Sequence, residues 1–236
     1  MARLPRLCVP GQLHLLIQRA QHGQTVFAEA VDCEAYLDAL RDAAVTNRVL
    51  IHAFALMPGE ARLLATPADA QAIGRMIQSL GRRFTAAYNA RHARSGALWQ
   101  GRFSATVVEA QAYLMACLRF VEAAPVAAGL VARAADYPWS SAGHHSGRNL
   151  ATLISEHPGF WSLGNTPFER EVNHGRLIEQ VLTSEELATI ETSAHRGWAL
   201  GSERFMDDLA GQTLRRLRPL PQGRPAQRLG IDKDET

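Results

Sequence analysis

Apolar positions along the first half of the chain recur with two different periods, and the switching between them predicts an ordered series of strands and helices. Gln12 to Arg19 reads as a strand. Behind it, Cys33, Tyr36, Leu37, Leu40 and Ala44 fall at helical spacing, with Asp32 placed to cap the helix N-terminus. Val49 to Leu56 is a continuous apolar run, Pro58-Gly59 supplies a tight turn, and Ala61 to Thr66 returns before Pro67, which together predict a hairpin. From Ala70 to about Arg91, Ile73, Met76, Ile77, Leu80, Phe84 and Tyr88 form one helical stripe and leave Arg75 and Arg82 on another face. Ser104 to Glu109 predicts a further short strand, and Tyr113 to Ala123 a helix that must end near Pro125. The order β-α-β-β-α-β predicts an α+β domain with a ferredoxin-like antiparallel sheet and packed helices.

After Asp136 the pattern breaks. Trp139-Ser140-Ser141 and His144-His145-Ser146-Gly147 carry no periodicity and read as an irregular connection. Helical signals then return. Thr183-Ser184-Glu185-Glu186 has the spacing of a capping box, and Ser202 is placed to cap a helix running to about Leu214, with Gly197 and Gly201 between the two. The pair carries a weak helix-turn-helix signal. The resulting division is an α+β domain over 1–131, a connection over 132–166, a helical C-terminal extension over 167–218, and a basic, Pro-rich flexible tail over 219–236.

With 236 residues and 47% apolar side chains the chain can build a proper core. Cys8, Cys33 and Cys117 lie far apart with no paired spacing, which argues against disulfides or a cysteine metal site. No stretch has the length of a signal-peptide core or a membrane span, so a cytoplasmic protein is expected.

Charge changes the picture locally. The net charge is only +2, yet no acidic residue occurs between Asp69 and Glu109, where Arg75, Arg82, Arg83, Arg91, Arg94 and Arg102 are interleaved with Phe84, Tyr88, Trp99 and Phe103. Guanidinium groups neutralise phosphates and aromatic faces accept unpaired bases, so this is a local polyanion-binding signature. A solvated arginine-rich helix face, with Trp99 and Phe103 serving the core, fits the same residues.

Several segments in order resemble the REP-associated tyrosine transposases of the HUH single-strand DNA transposase superfamily. They are Pro5-Arg6, Pro10-Gly11, Met57-Pro58, the run from Tyr88 to Phe103 containing Gly96-Ala97-Leu98-Trp99-Gln100-Gly101-Arg102-Phe103, Gly129-Leu130-Val131, Asp136-Tyr137-Pro138-Trp139-Ser140-Ser141, Leu200 to Phe205 and Gly223-Arg224-Pro225. The resemblance implies chemistry in which two strand histidines and a helix amide hold Mg or Mn, and a tyrosine four residues before the amide attacks a phosphodiester. It also implies single-stranded hairpins of repetitive palindromic DNA as the partner. The wider superfamily includes homodimers.

The chain departs from that pattern at all four positions. Glu60 and Arg62 stand at the histidine places, Phe120 at the tyrosine and Ala124 at the amide. Phenylalanine has no nucleophilic oxygen, alanine no lone pair for a metal, and arginine brings a fixed positive charge. Tyr113, two helical turns before Phe120, is a weak substitute nucleophile whose hydroxyl starts about 10 Å away. His14 and His52 sit on predicted strands as candidate substitute ligands, although lone strand histidines are more often hydrogen-bonded core or rim residues, and His144, His145 and His157 lack convincing metal spacing. Glu60 and Arg62 share a strand face and are expected to pair, leaving Arg62 to touch a phosphate without cleaving it.

The expectation is a transposase-like DNA-binding protein with a degenerate site, no cofactor, and contacts from Arg62, Arg75, Arg82, Arg83, Arg91, Arg94, Trp99 and Arg102. The alternatives are an active transposase using Tyr113 and substitute metal ligands, and a decayed insertion product without a selected role.

Overall fold

The computed structural model describes residues 6–213 and 215–218. The basic tail expected over 219–236 lies outside them. Four strands, β1 (Leu13–Arg19), β2 (Val49–Met57), β3 (Glu60–Pro67) and β4 (Ser104–Val108), form one antiparallel sheet in the order β2-β3-β1-β4. This is the ferredoxin-like arrangement that the alternating periods predict.

Two helices cover one face of the sheet. They are α1 (Ala30–Asn47) and α2 (Ala72–Arg91). Tyr36 and Leu40 of α1 and Met76, Leu80 and Phe84 of α2 are buried against Leu16, Phe54, Leu56 and Leu63. The other face carries α3 (Ala110–Glu122), whose Leu114, Cys117, Leu118 and Val121 pack on Leu13, Leu15, Ile17 and Leu64. β2 serves both layers, and a register irregularity between Ile51 and Ala53 shifts its alternation by one residue, so that Ile51 and Phe54 turn to one layer and Ala53 and Ala55 to the other.

The helix boundaries refine the sequence reading. The N-cap of α1 is Glu29 rather than Asp32, which sits at the third helical position and accepts from the Glu29 backbone N–H at 3.3 Å. That places the Asp32 carboxylate inside the first turn, where it also meets Arg91 and His92. Helix α3 stops at Glu122, and Pro125 opens a separate turn, α4 (Ala124–Ala127), because a proline is tolerated only where no helical N–H is required.

Both sheet edges are covered. Ser140 and Ile154 of the irregular connection bridge Ala55 and Ile51 of β2, and Leu56 N–H donates to the Trp139 carbonyl at 2.8 Å. Within that connection lies a short helix, α5 (Ala142–His145). Three helices follow: α6 (Pro167–Ile178), α7 (Ser184–Arg196) and α8 (Glu203–Ala210). Capping boxes start α6 at Thr166 and α7 at Thr183, and α7 ends on Gly197 in the left-handed conformation, φ +68°. Leu200, between α7 and α8, bridges Val108 on the outer edge of β4. The weak helix-turn-helix signal thus corresponds to two helices whose link is tied into the sheet, and α8 ends at Ala210, before Leu214. Among the described residues no helix is long and apolar enough to cross a membrane.

Candidate nucleic-acid interface

Alternation along β3 turns Glu60, Arg62 and Leu64 toward α3, the helix that carries Phe120. The resemblance places the family's metal and nucleophile at this junction. Arg62 donates from Nε to Glu60 at 2.5 Å and from Nη1 to the Phe120 carbonyl at 2.8 Å, and its guanidinium carbon lies 4.1 Å over the Phe120 ring. Glu60 receives Arg19 on its other oxygen at 2.7 Å, a pairing set by the register that puts Arg19 directly opposite Glu60. Glu60 and Arg62 are 14% and 17% exposed, so that pair is largely removed from solvent, whereas Arg19 is 47% exposed.

A divalent metal does not fit here. Both Glu60 oxygens are engaged by arginines, Arg62 supplies a fixed positive charge, and Phe120 and the buried Ala124 offer no lone pair. Tyr113, on α3, is partly buried and packs against the apolar cluster on this face of the sheet. His14 and His52 are buried structural residues. His14 donates to the Gln12 carbonyl and accepts from Val9 N–H, and His52 bonds Ser155 and Thr66. Burial pulls both imidazoles down to about 4, so they are neutral.

The arginines of the acid-free stretch, which runs from α2 into the loop that follows it, divide by the partners they meet. Toward α1, Arg83 pairs with Asp42, and Arg91 with Asp32 and Glu29. At the start of the helix Arg75 pairs with Asp69, and at its end Arg94 donates to Gln24. On the opposite side, α2 and the 97–103 loop enclose a groove of about 760 Å³ into which Arg6, Arg19, Arg82 and Arg102 open, with Gln78 and Gln100 and without an acidic residue. Arg82 and Arg102 are exposed and form no ion pair among the described residues. Arg6 lies over the Phe103 ring at 3.7 Å and donates to its carbonyl. Trp99 lines the groove by one edge, but its ring centroid is 6.1 Å from those of Phe27, Tyr36 and Phe84, within the core layer.

The sequence gives no hint of a third polar centre. Glu122, the last residue of α3, is fully buried and accepts from His145 Nδ1 at 2.6 Å, from His174 Nε2 at 2.7 Å and from the Ser141 hydroxyl. Burial alone would raise the Glu122 carboxyl, yet His145 and His174 hold it well below the usual carboxylate range. Burial likewise opposes charge on His145, and Glu122 overcomes it and raises that imidazole. The partners lie 23 and 52 residues from Glu122, beyond any local motif.

No protein-family model and no curated protein sequence matches the chain. Among solved structures, a REP-associated tyrosine transposase bound to a REP hairpin is similar over 67% of this chain and 93% of its own, with a TM-score of 0.54 and 16% identity. A protein of Deinococcus radiodurans R1, provisionally named a transposase, aligns over 49% of this chain and 93% of its own at 23% identity, with a TM-score of 0.36 that adds nothing to the argument. The strand order, the helices on both faces and the first of these likenesses together give this chain the fold of the REP-associated tyrosine transposases.

Proposed function

We propose that the protein binds single-stranded or hairpin DNA of repetitive palindromic elements and does not cut it. The observation that carries this reading is the groove between α2 and the 97–103 loop, where Arg82 and Arg102 are left unpaired while their neighbours on the α1 side are neutralised. A groove lined by arginine and glutamine without a carboxylate suits a phosphate backbone, and bidentate guanidinium contacts suit its oxygens. That the similar solved transposase is bound to a REP hairpin supports DNA hairpins as the partner class. Loss of cutting follows from Phe120, Arg62 and Ala124, which leave the junction of β3 and α3 with neither nucleophile nor metal ligands.

Labelled hairpin DNA with single-stranded flanks, run on native and denaturing gels with and without Mg or Mn, tests both halves. Salt-sensitive retardation with no nicked strand and no covalent adduct is expected. A metal-dependent adduct would restore the active-transposase reading and direct attention to Tyr113, and absence of any salt-sensitive retardation would remove the binding reading.

A further inference from the structure

We propose that Glu122, His145 and His174 form a structural metal site for one borderline dication, with Zn2+ as its natural probe. Two imidazoles and a carboxylate are the ligand set that such metals take, whereas Mg and Ca prefer all-oxygen sites. The three side chains are buried, and their donor atoms all lie within 4.8 Å of one another. Ligand atoms around a tetrahedral metal with bonds of about 2.0–2.2 Å stand roughly 3.4 Å apart, so the 2.6 and 2.7 Å contacts need to open by somewhat under about 1 Å.

With the metal on Nε2, the neutral His174 ring carries its proton on Nδ1, which is buried and has no protein partner among the described residues. The topology favours a staple at this point. Its ligands come from α3, from α5 and from α6, and α5 is four residues long, too short to hold itself as a helix. Binding places the cation between Nδ1 of His145, Nε2 of His174 and the carboxylate; each of those two nitrogens gives up its proton and each ring holds one proton on its far nitrogen, so the imidazoles ligate as neutral rings. No ligand opens to solvent, which makes the role structural. Phe120 and Glu122, two residues apart on α3, project about 200° apart, so this centre is separate from the junction at Arg62.

The full-length protein, purified without a metal-affinity tag, is assayed for bound metal by mass spectrometry, and an EDTA-dialysed sample is titrated with Co2+ and Zn2+. The expected results are about one equivalent of metal per chain, d–d absorption from protein-bound Co2+, and a melting temperature raised by roughly 5–10 °C at a hundredfold excess of Zn2+ over Kd. His174→Ala, its fold checked by circular dichroism, is expected to lose the Co2+ absorption, while His144→Ala retains it. Metal-free wild-type protein that gives no Co2+ absorption and no Zn2+-dependent melting shift would overturn the proposal and leave the cluster a proton-filled hydrogen-bond network.

Discussion

The guanidinium of Arg62 lies 4.1 Å over the Phe120 ring and donates at 2.8 Å to that residue's own carbonyl, so strand β3 and helix α3 are joined by one side chain. Arg62 and Phe120, at the positions where the resemblance implies a metal ligand and a nucleophile, are each other's stacking partners. Arg62→Ala removes the cation–π contact and the carbonyl hydrogen bond while leaving Glu60 paired to Arg19. Urea denaturation is expected to show a loss of about 1–2 kcal/mol, and a variant as stable as wild type would mean that the contact contributes nothing.

On the proposed reading, a hydroxyl at position 120 is not enough for chemistry. Phe120→Tyr is expected to fold with stability close to wild type and to form no covalent adduct with hairpin DNA in Mg or Mn, because Arg62 and Ala124 still deny a metal its place. Any adduct on a denaturing gel would show that the junction admits a metal after all.

The unpaired arginines of the groove and the paired ones facing α1 are expected to behave differently toward DNA. Arg82→Ala combined with Arg102→Ala should weaken binding several-fold and lower the slope of log K against log salt by about 1.4, or ~0.7 per single-strand phosphate contact. Arg83→Ala, whose guanidinium is already engaged by Asp42, is expected to leave affinity within about twofold. Equal losses from both variants would mean that the groove is not the contact surface.

Acidification should destabilise the fold before the ordinary carboxylates titrate. His14 and His52 are held to about 4 by burial, against 6.5 for the free side chain, so the unfolded chain binds protons that the native chain does not. Their contribution is complete above about pH 6.5 and is lost as pH falls toward 4. Urea midpoints measured in EDTA between pH 6.5 and 4.5 are expected to fall steadily, by up to about 1.4 kcal/mol per pH unit for each of the two histidines. A flat profile over that window would show that one or both rings are protonated in the native state.

Trp99→Ala separates packing from base stacking. The ring sits among Phe27, Tyr36 and Phe84, so the substitution is expected to cost about 2–4 kcal/mol in urea denaturation with little change in DNA affinity under folding conditions. A large affinity loss in a variant of near-native stability would assign the exposed edge of Trp99 to a base.

What the sequence by itself determined is everything carried by local period and composition: the strand and helix order, the ferredoxin-like sheet, and the acid-free arginine stretch that spans α2 and the loop after it. A strand repeats every two residues and a helix every 3.6, so Ile73, Met76, Leu80 and Phe84 announce the buried stripe of α2 without any neighbour. The strand alternation likewise put Glu60 and Arg62 on one face and foresaw their pairing. Tertiary structure alone decided which arginines are neutralised, because Asp42, Asp32 and Glu29 reach Arg83 and Arg91 across 41 to 62 residues of chain. It also decided that Asp32 is an inner partner rather than a cap, and that Glu122 meets His145 and His174. Such meetings are fixed by how helices and edge segments pack on the sheet, and packing between elements far apart in sequence leaves no periodic trace in the chain.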